Sequence, residues 1–348
     1  MIPAAFAIPG DIDLPTGGYT YDRRVLALLP SFGVAARHVA LPGSFPEPTP
    51  GDLAVTAGIL SAVAPGEPLI IDGLAYGAMP ADLIKDLRAP IIALVHHPLC
   101  LEAGLAEPRR RQLYASEKAA LALARRIVTV SRATAETLAS DFGVPASQMT
   151  VAEPGTDRAD RAAGGNRPLR LLAVGSVVPR KAYDILVCAL APLKDHDWRL
   201  SIVGATDRST EALAALHAAM RDTGLADRVT IAGPVNQDAL AEHYAAADAF
   251  LMPSLYEGYG MVLAEAMARG LPIVCTTGGA AADTAPDDAA IKVPPGDAGA
   301  LSAAIGRVLS DASLRRSMSD ASWAAGQKLP GWGDTAGKIA AVIKEVAG

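Results

Sequence analysis

The feature that most constrains the fold is a repeated alternation of short apolar runs with longer alanine- and leucine-rich segments. Runs that are apolar on both faces and separated by helix-length segments indicate buried parallel strands in βαβ units. In the first half of the chain the predicted strands are 4–8, 68–72, 90–95 and 126–131. In the second half they are 170–176, 199–205, 228–234, 249–254 and 271–277. Because the pattern occurs twice, we predict two doubly wound α/β domains.

Length and composition agree with two cytoplasmic domains. The chain has 348 residues, and a domain takes about 150. A net charge of −6 argues against a bulk nucleic-acid binder. The three cysteines are far apart and form no Cys-x-x-Cys pair, which disfavours a disulfide framework and a zinc site. The N-terminus lacks the basic segment of a signal peptide, and no apolar run is long enough to span a bilayer, so we expect a cytoplasmic protein.

The domain boundary is predicted at the glycine-rich, non-periodic segment 162–168. We therefore expect a first domain at 1–163 and a second at 164–333, with a last amphipathic helix at 334–348 packing back on the first. Ligands of open parallel sheets bind beyond the carboxyl ends of the strands. With two such sheets, the expected site is the cleft between the domains.

The segment 253–279 carries the most chemical information. Its strand ends near Pro253, the loop that follows contains Gly258 and Gly260, and a helix is predicted to begin at about Gly260. Glycines at a strand-to-helix turn let the backbone approach a ligand closely. The free amides of the helix's first turn favour an anion, most often a phosphate. The backbone from Gly258 through Tyr259 and Gly260 to Met261 is therefore a candidate phosphate site.

Two glutamates flank this turn, Glu257 and Glu265. Eight helical steps of about 100° end roughly 80° out of register, so the pair would not share a face of one helix. We therefore place Glu257 on the loop and Glu265 on the helix. Carboxylates accept hydrogen bonds, and their expected partners here are hydroxyls of a sugar and a ribose.

This E-x7-E segment resembles the signature of the retaining GT-B glycosyltransferases of glycosyltransferase family 4. Segments 174–186, 200–205, 228–235 and 270–286 are also similar to that family, and 17–25, 94–98, 128–134 and 151–157 more weakly so. The resemblance implies a GT-B fold, with two Rossmann-like domains facing each other across a cleft. It also implies that a hexosyl group moves with retention from a UDP- or GDP-sugar to a hydroxyl acceptor, such as a glycan, lipid or small metabolite of the cell envelope.

The basic pair Arg180-Lys181 follows a predicted strand of the second domain. Two adjacent cations there can neutralise a diphosphate and stabilise it as a leaving group. The resemblance implies that they hold the donor phosphates, with Glu265 on the ribose and Glu257 on the donor sugar. Two positions depart from the family pattern: Ser176 stands where many members have Arg, and Ala182 where many have Gly.

Candidate groups in the first domain are two glycines and two histidines. Gly17-Gly18 is predicted to lie in the loop after the first strand, before a helix starting near Tyr19, and can offer amides to an anion. His96 and His97 directly follow a predicted strand, and such histidines can hydrogen-bond a sugar hydroxyl. The resemblance favours His96 as the functional one.

Neither a metal nor an organic cofactor is expected besides the nucleotide sugar. The pairs Asp11-x-Asp13 and Asp195-x-Asp197 have a spacing that can hold a divalent ion, but both are expected to be solvated loop residues. The helix predicted over 107–126 has a basic tip, for which contact with an anionic membrane is the less favoured interpretation.

Three alternatives remain open at this point. An epimerase of the same fold would turn over the donor without an acceptor, whereas a phosphorylase would need inorganic phosphate. A non-catalytic sugar-nucleotide-binding subunit would bind the nucleotide sugar without turnover. A dehydrogenase is disfavoured because no early strand is followed by G-x-G-x-x-G.

Overall fold

The computed structural model describes all 348 residues and divides them into two compact units. Unit 1 comprises Met1–Gly155 with Pro330–Gly348, and unit 2 comprises Thr156–Leu329. Each unit is built on a six-stranded, all-parallel sheet with helices in the crossovers. This confirms the predicted pair of Rossmann-like α/β units. None of the helices has both the length and the apolarity that crossing a membrane requires.

The sheet of unit 1 has the order β2-β1-β3-β4-β5-β6. Its strands are β1 Ile2–Pro9, β2 Val34–Leu41, β3 Leu69–Asp72, β4 Ile91–Val95, β5 Arg126–Thr129 and β6 Met149–Val151. Its crossover helices are α1 Gly17–Leu28, α2 Pro50–Ser61, α3 Gly73–Tyr76, α4 Ala81–Lys85, α5 Glu107–Leu121 and α6 Arg132–Ser140. The central strands β1, β3 and β4 are almost fully buried, as strands covered by helices on both faces must be.

The sheet of unit 2 has the order β12-β11-β10-β7-β8-β9. Its strands are β7 Leu169–Val174, β8 Trp198–Val203, β9 Val229–Gly233, β10 Ala249–Met252, β11 Ile273–Thr276 and β12 Ala290–Val293. Its helices are α7 Tyr183–Leu190, α8 Thr210–Thr223, α9 Gln237–Ala245, α10 Met261–Met267, α11 Ala281–Thr284, α12 Ala298–Ser310 and α13 Ala312–Gly326. The chain order reverses between the neighbours β7 and β10, and such a switch point opens a crevice for ligands.

The last helix, α14 Trp332–Ala347, is part of unit 1. It starts slightly before the predicted 334 because the Gly331 amide donates to the Asp334 carboxylate at 2.9 Å and caps the first turn. The Trp332 ring meets the Tyr21 ring edge-on at 6.0 Å, and the Thr335 hydroxyl donates to the Glu153 carbonyl at 2.7 Å. These contacts tie the end of the chain to the first unit.

The glycine-rich segment 162–168 does not form the boundary that its composition predicts, since the units divide after Gly155. The Ala162 amide donates to the Arg269 carbonyl at 2.9 Å. The buried carboxylate of Asp248 accepts the Asn166 amide at 3.1 Å and the Arg170 amide at 2.7 Å. The segment is therefore held to unit 2 by hydrogen bonds, which its glycine content does not reveal.

Candidate active site

The predicted phosphate and sugar ligands of unit 2 converge at its switch point. Lys181 and its neighbour Arg180 follow β7, and Glu257 follows β10, the next strand in the sheet. Because parallel strands end at the same edge, these two loops meet: the Leu255 amide donates to the Arg180 carbonyl at 2.7 Å. Topology thus brings together residues that lie far apart in the sequence.

Glu257 bridges both cations. Lys181 Nζ donates to its Oε1 at 2.6 Å, and Arg180 Nη1 lies 3.1 Å from its Oε2. Arg180 Nη1 also donates to the Tyr256 carbonyl at 2.7 Å. Burial opposes the charge on Glu257, but the two cations prevail and lower its pKa to about 2. The site therefore holds one carboxylate and two cations, a net positive charge suited to an anionic ligand.

The loop that carries Glu257 rests on two glycines after β11. A Cβ at Gly278 would lie 2.2 Å from the Leu255 carbonyl oxygen, and one at Gly279 would lie 2.3 Å from the Glu257 carbonyl oxygen. Gly279 also has a φ of +63°, a region that favours glycine. Only glycine fits at either position, so the backbone of the Glu257 loop is held by close main-chain packing.

The predicted turn leads directly into α10. Gly260 precedes the helix with a φ of +87°, and Met261 is its first residue. Gly258 is half-buried, whereas Tyr259 is buried and its carbonyl accepts the Thr284 hydroxyl at 2.5 Å. The helix has only seven residues, so Arg180 and Lys181 supply most of the local positive charge.

Glu265 lies on α10, as predicted, and has a partner that the sequence did not indicate. The hydroxyl of Tyr244 donates to Glu265 Oε2 at 2.7 Å, and the guanidinium of Arg269 stacks 4.6 Å from the Tyr244 ring. Burial raises the pKa of Glu265, and the Tyr244 hydrogen bond and the charge of Arg269 act in the opposite direction. Glu265 is therefore oriented by the Tyr244 hydroxyl.

The backbone at Ala182 has a conformation that favours glycine, the residue that many family members have at this position. Ala182 precedes α7 with a φ of +50°, and it is the one residue other than glycine with a positive φ in the chain. A left-handed conformation costs a residue with a Cβ about 1–2 kcal/mol. Replacing that residue with glycine removes this strain, but part of the gain is offset because glycine loses more conformational entropy on folding.

We expect Ala182→Gly to raise the free energy of unfolding by about 0.5–1 kcal/mol, because it removes the strain of the positive φ. Urea titration followed by circular dichroism measures the change. Ala246→Gly is the matched control: Ala246 has a φ of −85°, so glycine there should destabilise. A stability loss in Ala182→Gly similar to that of the control would contradict the strain.

In unit 1 the two glycines, Gly17 and Gly18, lie in a different element from the predicted loop. Gly17 and Gly18 are the first residues of α1 rather than loop residues, because the Thr16 hydroxyl accepts the Tyr19 amide at 3.3 Å and starts the helix there. Their amides remain among the unsatisfied donors of a helix N-terminus. A Cβ at Gly18 would lie 3.6 Å from the His96 ring, so the glycine borders His96 directly.

The two histidines have different surroundings. His96 Nε2 lies 3.2 Å from Asp72 Oδ2 and 3.4 Å from Asp22 Oδ1, and both carboxylates are buried. His97 Nε2 instead lies 3.0 Å from Glu102, a half-exposed residue. Sequence reasoning missed both aspartates, although Asp72 ends a strand and Asp22 follows the glycine pair closely.

The remaining candidates lie outside these clusters. Asp11, Asp13, Asp195 and Asp197 are all exposed. On α5, Arg110 and Arg111 lie 3.9 Å from Glu107, and Arg109 donates to the Pro46 carbonyl. Glu117, on the same helix, is buried and accepts the Leu99 amide at 2.9 Å.

Two known families match most of the chain. Residues 20–160 match the family described as Glycosyltransferase Family 4, and residues 168–311 match Glycosyl transferases group 1. The chain is 30% identical to the MMP alpha-(1->4)-mannosyltransferase of Mycolicibacterium hassiacum, over 75% of this chain and 67% of that one. It is also 30% identical to the D-inositol 3-phosphate glycosyltransferase of Kineococcus radiotolerans, over 87% of this chain and 79% of that one.

Solved structures agree on the fold. Sucrose-phosphate synthase from Thermosynechococcus elongatus superposes with a TM-score of 0.85 at 21% identity, covering 99% of both chains. Anabaena HepE, solved with UDP-glucose, superposes with a TM-score of 0.77 at 17% identity, covering 99% of this chain and all of HepE. With the family matched in both halves and a 30% identical relative covered over most of its length, the chain belongs to glycosyltransferase family 4, the glycosyl transferases group 1, and is a glycosyltransferase.

Proposed function

We propose that the protein transfers a hexosyl group, with retention of configuration, from a UDP- or GDP-sugar to a hydroxyl acceptor. The observation that carries this proposal is the cluster of Arg180, Lys181 and Glu257 at the switch point of unit 2. Two cations fixed by one carboxylate keep a positive charge where a leaving diphosphate needs it. The fixed geometry also avoids reorganisation during the reaction.

Glu265 is assigned to the ribose. Tyr244 occupies one of its carboxylate oxygens at 2.7 Å, which leaves the other free to accept a hydroxyl. Glu257 is assigned to the donor sugar, with a double role: it orients Lys181 and Arg180, and it offers its remaining lone pairs to a sugar hydroxyl. The amides between Gly258 and Met261 are assigned to the diphosphate, beside the two cations.

The chemical step needs no protein nucleophile in this scheme. The acceptor oxygen attacks the anomeric carbon on the face from which the phosphate leaves, so a new C–O bond forms as the bond to the phosphate oxygen breaks. The leaving phosphate oxygen takes the acceptor's proton. Arg180 and Lys181 neutralise the charge that develops on the diphosphate, and we propose that no metal is required.

Unit 1 is assigned to binding the acceptor. Its residue His96 is assigned to donating a hydrogen bond to a bound substrate. The similar proteins differ in the nucleotide sugar that their names or structures specify. One is a GDP-mannose-dependent mannosyltransferase of Mycolicibacterium smegmatis, 33% identical over 53% of this chain. HepE has been solved with UDP-glucose. Both nucleotides are therefore tested as donors.

The experiment is a thermal-shift screen with UDP, GDP, ADP and their sugar conjugates, with and without EDTA. A ligand at about 100 times its dissociation constant adds about 2.7 kcal/mol of stability and should raise Tm by several degrees. Glu265→Ala should weaken binding by about 10- to 100-fold, because a hydrogen bond to a charged group is lost. The exposed Glu242→Ala is the matched control.

A shift with one nucleotide that survives EDTA and weakens only in Glu265→Ala supports the donor site. No shift with any nucleotide would contradict it. The anomeric configuration of the product, read by NMR coupling constants, then tests retention. A product of the opposite configuration to the donor sugar would overturn the front-face step.

A further inference from the structure

Three side chains of unit 1 meet at the carboxyl edge of its sheet. Asp22 lies on α1, which follows β1; Asp72 is the last residue of β3; and His96 directly follows β4. These three strands are neighbours, and the chain order reverses between β1 and β3. The cluster therefore occupies the switch point of unit 1, where ligands of open parallel sheets bind.

Both carboxylates point at the same nitrogen, His96 Nε2, at 3.2 Å from Asp72 and 3.4 Å from Asp22. Asp22 is fully buried, and apart from this contact no donor reaches either of its oxygens. The other oxygen of Asp72 accepts the Leu74 amide at 2.7 Å, which fixes the direction of the carboxylate. His96 is thus the only group here that can compensate the charge on Asp22.

One more titratable group packs on the ring. Tyr21 of α1 meets His96 edge-on, with ring centroids 5.3 Å apart, and its hydroxyl donates to the Ala152 carbonyl at 2.8 Å. Burial raises the pKa of Tyr21 well above its ordinary value, so the phenol stays neutral. The charge balance of the cluster therefore lies among Asp22, Asp72 and His96.

A buried carboxylate without a counter-charge is very costly. Burial alone would favour a neutral ring, but the close contacts with Asp22 and Asp72 raise the pKa of His96 to about 10. Burial also raises the pKa of Asp22, and the neighbouring Asp72 adds to the effect. The pKa of His96 is thus raised by the two carboxylates, whereas that of Asp22 is raised first by burial and then by Asp72, with His96 acting in the opposite direction.

We propose that Asp22 and Asp72 are positioning residues that keep His96 a permanent imidazolium, so that its second ring nitrogen, Nδ1, always donates a hydrogen bond and never acts as a base. Nε2 is buried, yet 21% of the His96 side chain is exposed, so the accessible part of the ring excludes Nε2. In the cation both nitrogens donate. A neutral ring would keep its proton on Nε2, between the carboxylates, and Nδ1 would become an acceptor.

The role of the protonated His96 in the transfer reaction rests on the proposed function. A permanent donor recognises an oxygen of the bound substrates through a charge-assisted hydrogen bond. It cannot remove the acceptor's proton, which must then go to the leaving phosphate oxygen. Asp22 and Asp72 contact no substrate in this scheme and act on the reaction only through His96.

The test is an NMR titration of the free protein with ¹⁵N-labelled histidine, in which His96→Gln assigns the signals. The wild-type ring should stay protonated until about pH 10. Asp72→Asn and Asp22→Asn should each lower the midpoint by about 1–3 pH units, since an opposite charge at this distance is removed. Asp82→Asn is the control: this exposed residue pairs with Lys85, and its replacement should leave the midpoint unchanged.

A wild-type midpoint at or below about 6.5, the ordinary value for histidine, would overturn the proposal, and this result needs no variant to fold. A single saturable site for Zn²⁺ on the His96 signals, abolished in Asp22→Asn, would also overturn it, because the carboxylates would then serve a metal.

The pH profile of kcat/KM separates charge control from mere packing. Asp72→Asn should acquire an alkaline limb at its lowered midpoint, which the wild type lacks, whereas a packing defect would lower activity at every pH. Because the titration uses the free protein, it stands even if no donor is turned over, and failure of the proposed function is then recognised separately.

Discussion

Replacing Lys181 with alanine is expected to lower kcat/KM by about 10²- to 10³-fold, the loss typical of removing one preorganised group that stabilises a developing negative charge. Lys181 Nζ lies 2.6 Å from Glu257 and is only 11% exposed, so its charge acts in a site with little water. The effect should fall on kcat more than on KM, because the charge on the diphosphate grows as the bond breaks.

The measurement is steady-state kinetics with the donor that gives the largest thermal shift. Lys194→Ala is the matched control, since Lys194 is an exposed lysine of the same unit, and its kcat/KM should stay within about twofold of wild type. Lys181→Arg tests position as well as charge: a partial rescue is expected. An unchanged kcat in Lys181→Ala would remove the lysine from the leaving-group site.

The two units use the same topological device. In each, the chain order of the sheet reverses once, and polar side chains after neighbouring strands meet at that point. In unit 2 these are Lys181 and Glu257, which we propose bind the donor phosphates and the donor sugar. In unit 1 they are Asp72 and His96. The fold thus dictates where chemistry can be placed, and the residues after each strand decide which chemistry it is.

Most of the strands that the sequence predicted have a pattern typical of burial on both faces. Strands β3, β4, β10 and β11 appear as unbroken apolar runs because helices cover them on both sides. The edge strand β2, Val34–Leu41, was missed because it is only partly buried, and the exposed polar residues Arg37 and His38 interrupt its apolar pattern. The edge strand β12 contains Lys292 for a similar reason. Of the four edge strands β2, β6, β9 and β12, only β9 was predicted, so an edge position weakens the apolar pattern without always removing it.

The candidate site was predictable only in part. The residues Arg180, Lys181, Glu257 and Glu265 stand in a recognisable pattern, and the structure brings the first three together and places Glu265 on α10. Their partners do not follow from spacing, because Tyr244 reaches Glu265 across 21 positions of the chain. Asp22 and Asp72 likewise meet His96 only once the strand order is known. Contacts made by sheet topology leave no periodicity in the sequence.

The second large effect is on stability and concerns Glu257, the carboxylate of the same cluster. Glu257→Ala is expected to lower the free energy of unfolding by about 3 kcal/mol, because it leaves two largely buried cations without their counter-charge. Urea unfolding followed by circular dichroism measures the loss. The exposed Glu242→Ala is the control and should change stability by less than about 0.5 kcal/mol.

The pH dependence of this loss identifies its cause. The folded-state pKa of Glu257 is lowered to about 2, from about 4.5 in the unfolded chain, so its stabilisation is fully present above about 4.5 and is lost as the pH falls through about 2. The stability difference between wild type and Glu257→Ala should therefore shrink between these two pH values. A difference that stays constant would assign the loss to packing rather than to charge. A diphosphate should restore part of the variant's stability at neutral pH, since its negative charge can replace the Glu257 carboxylate beside Arg180 and Lys181.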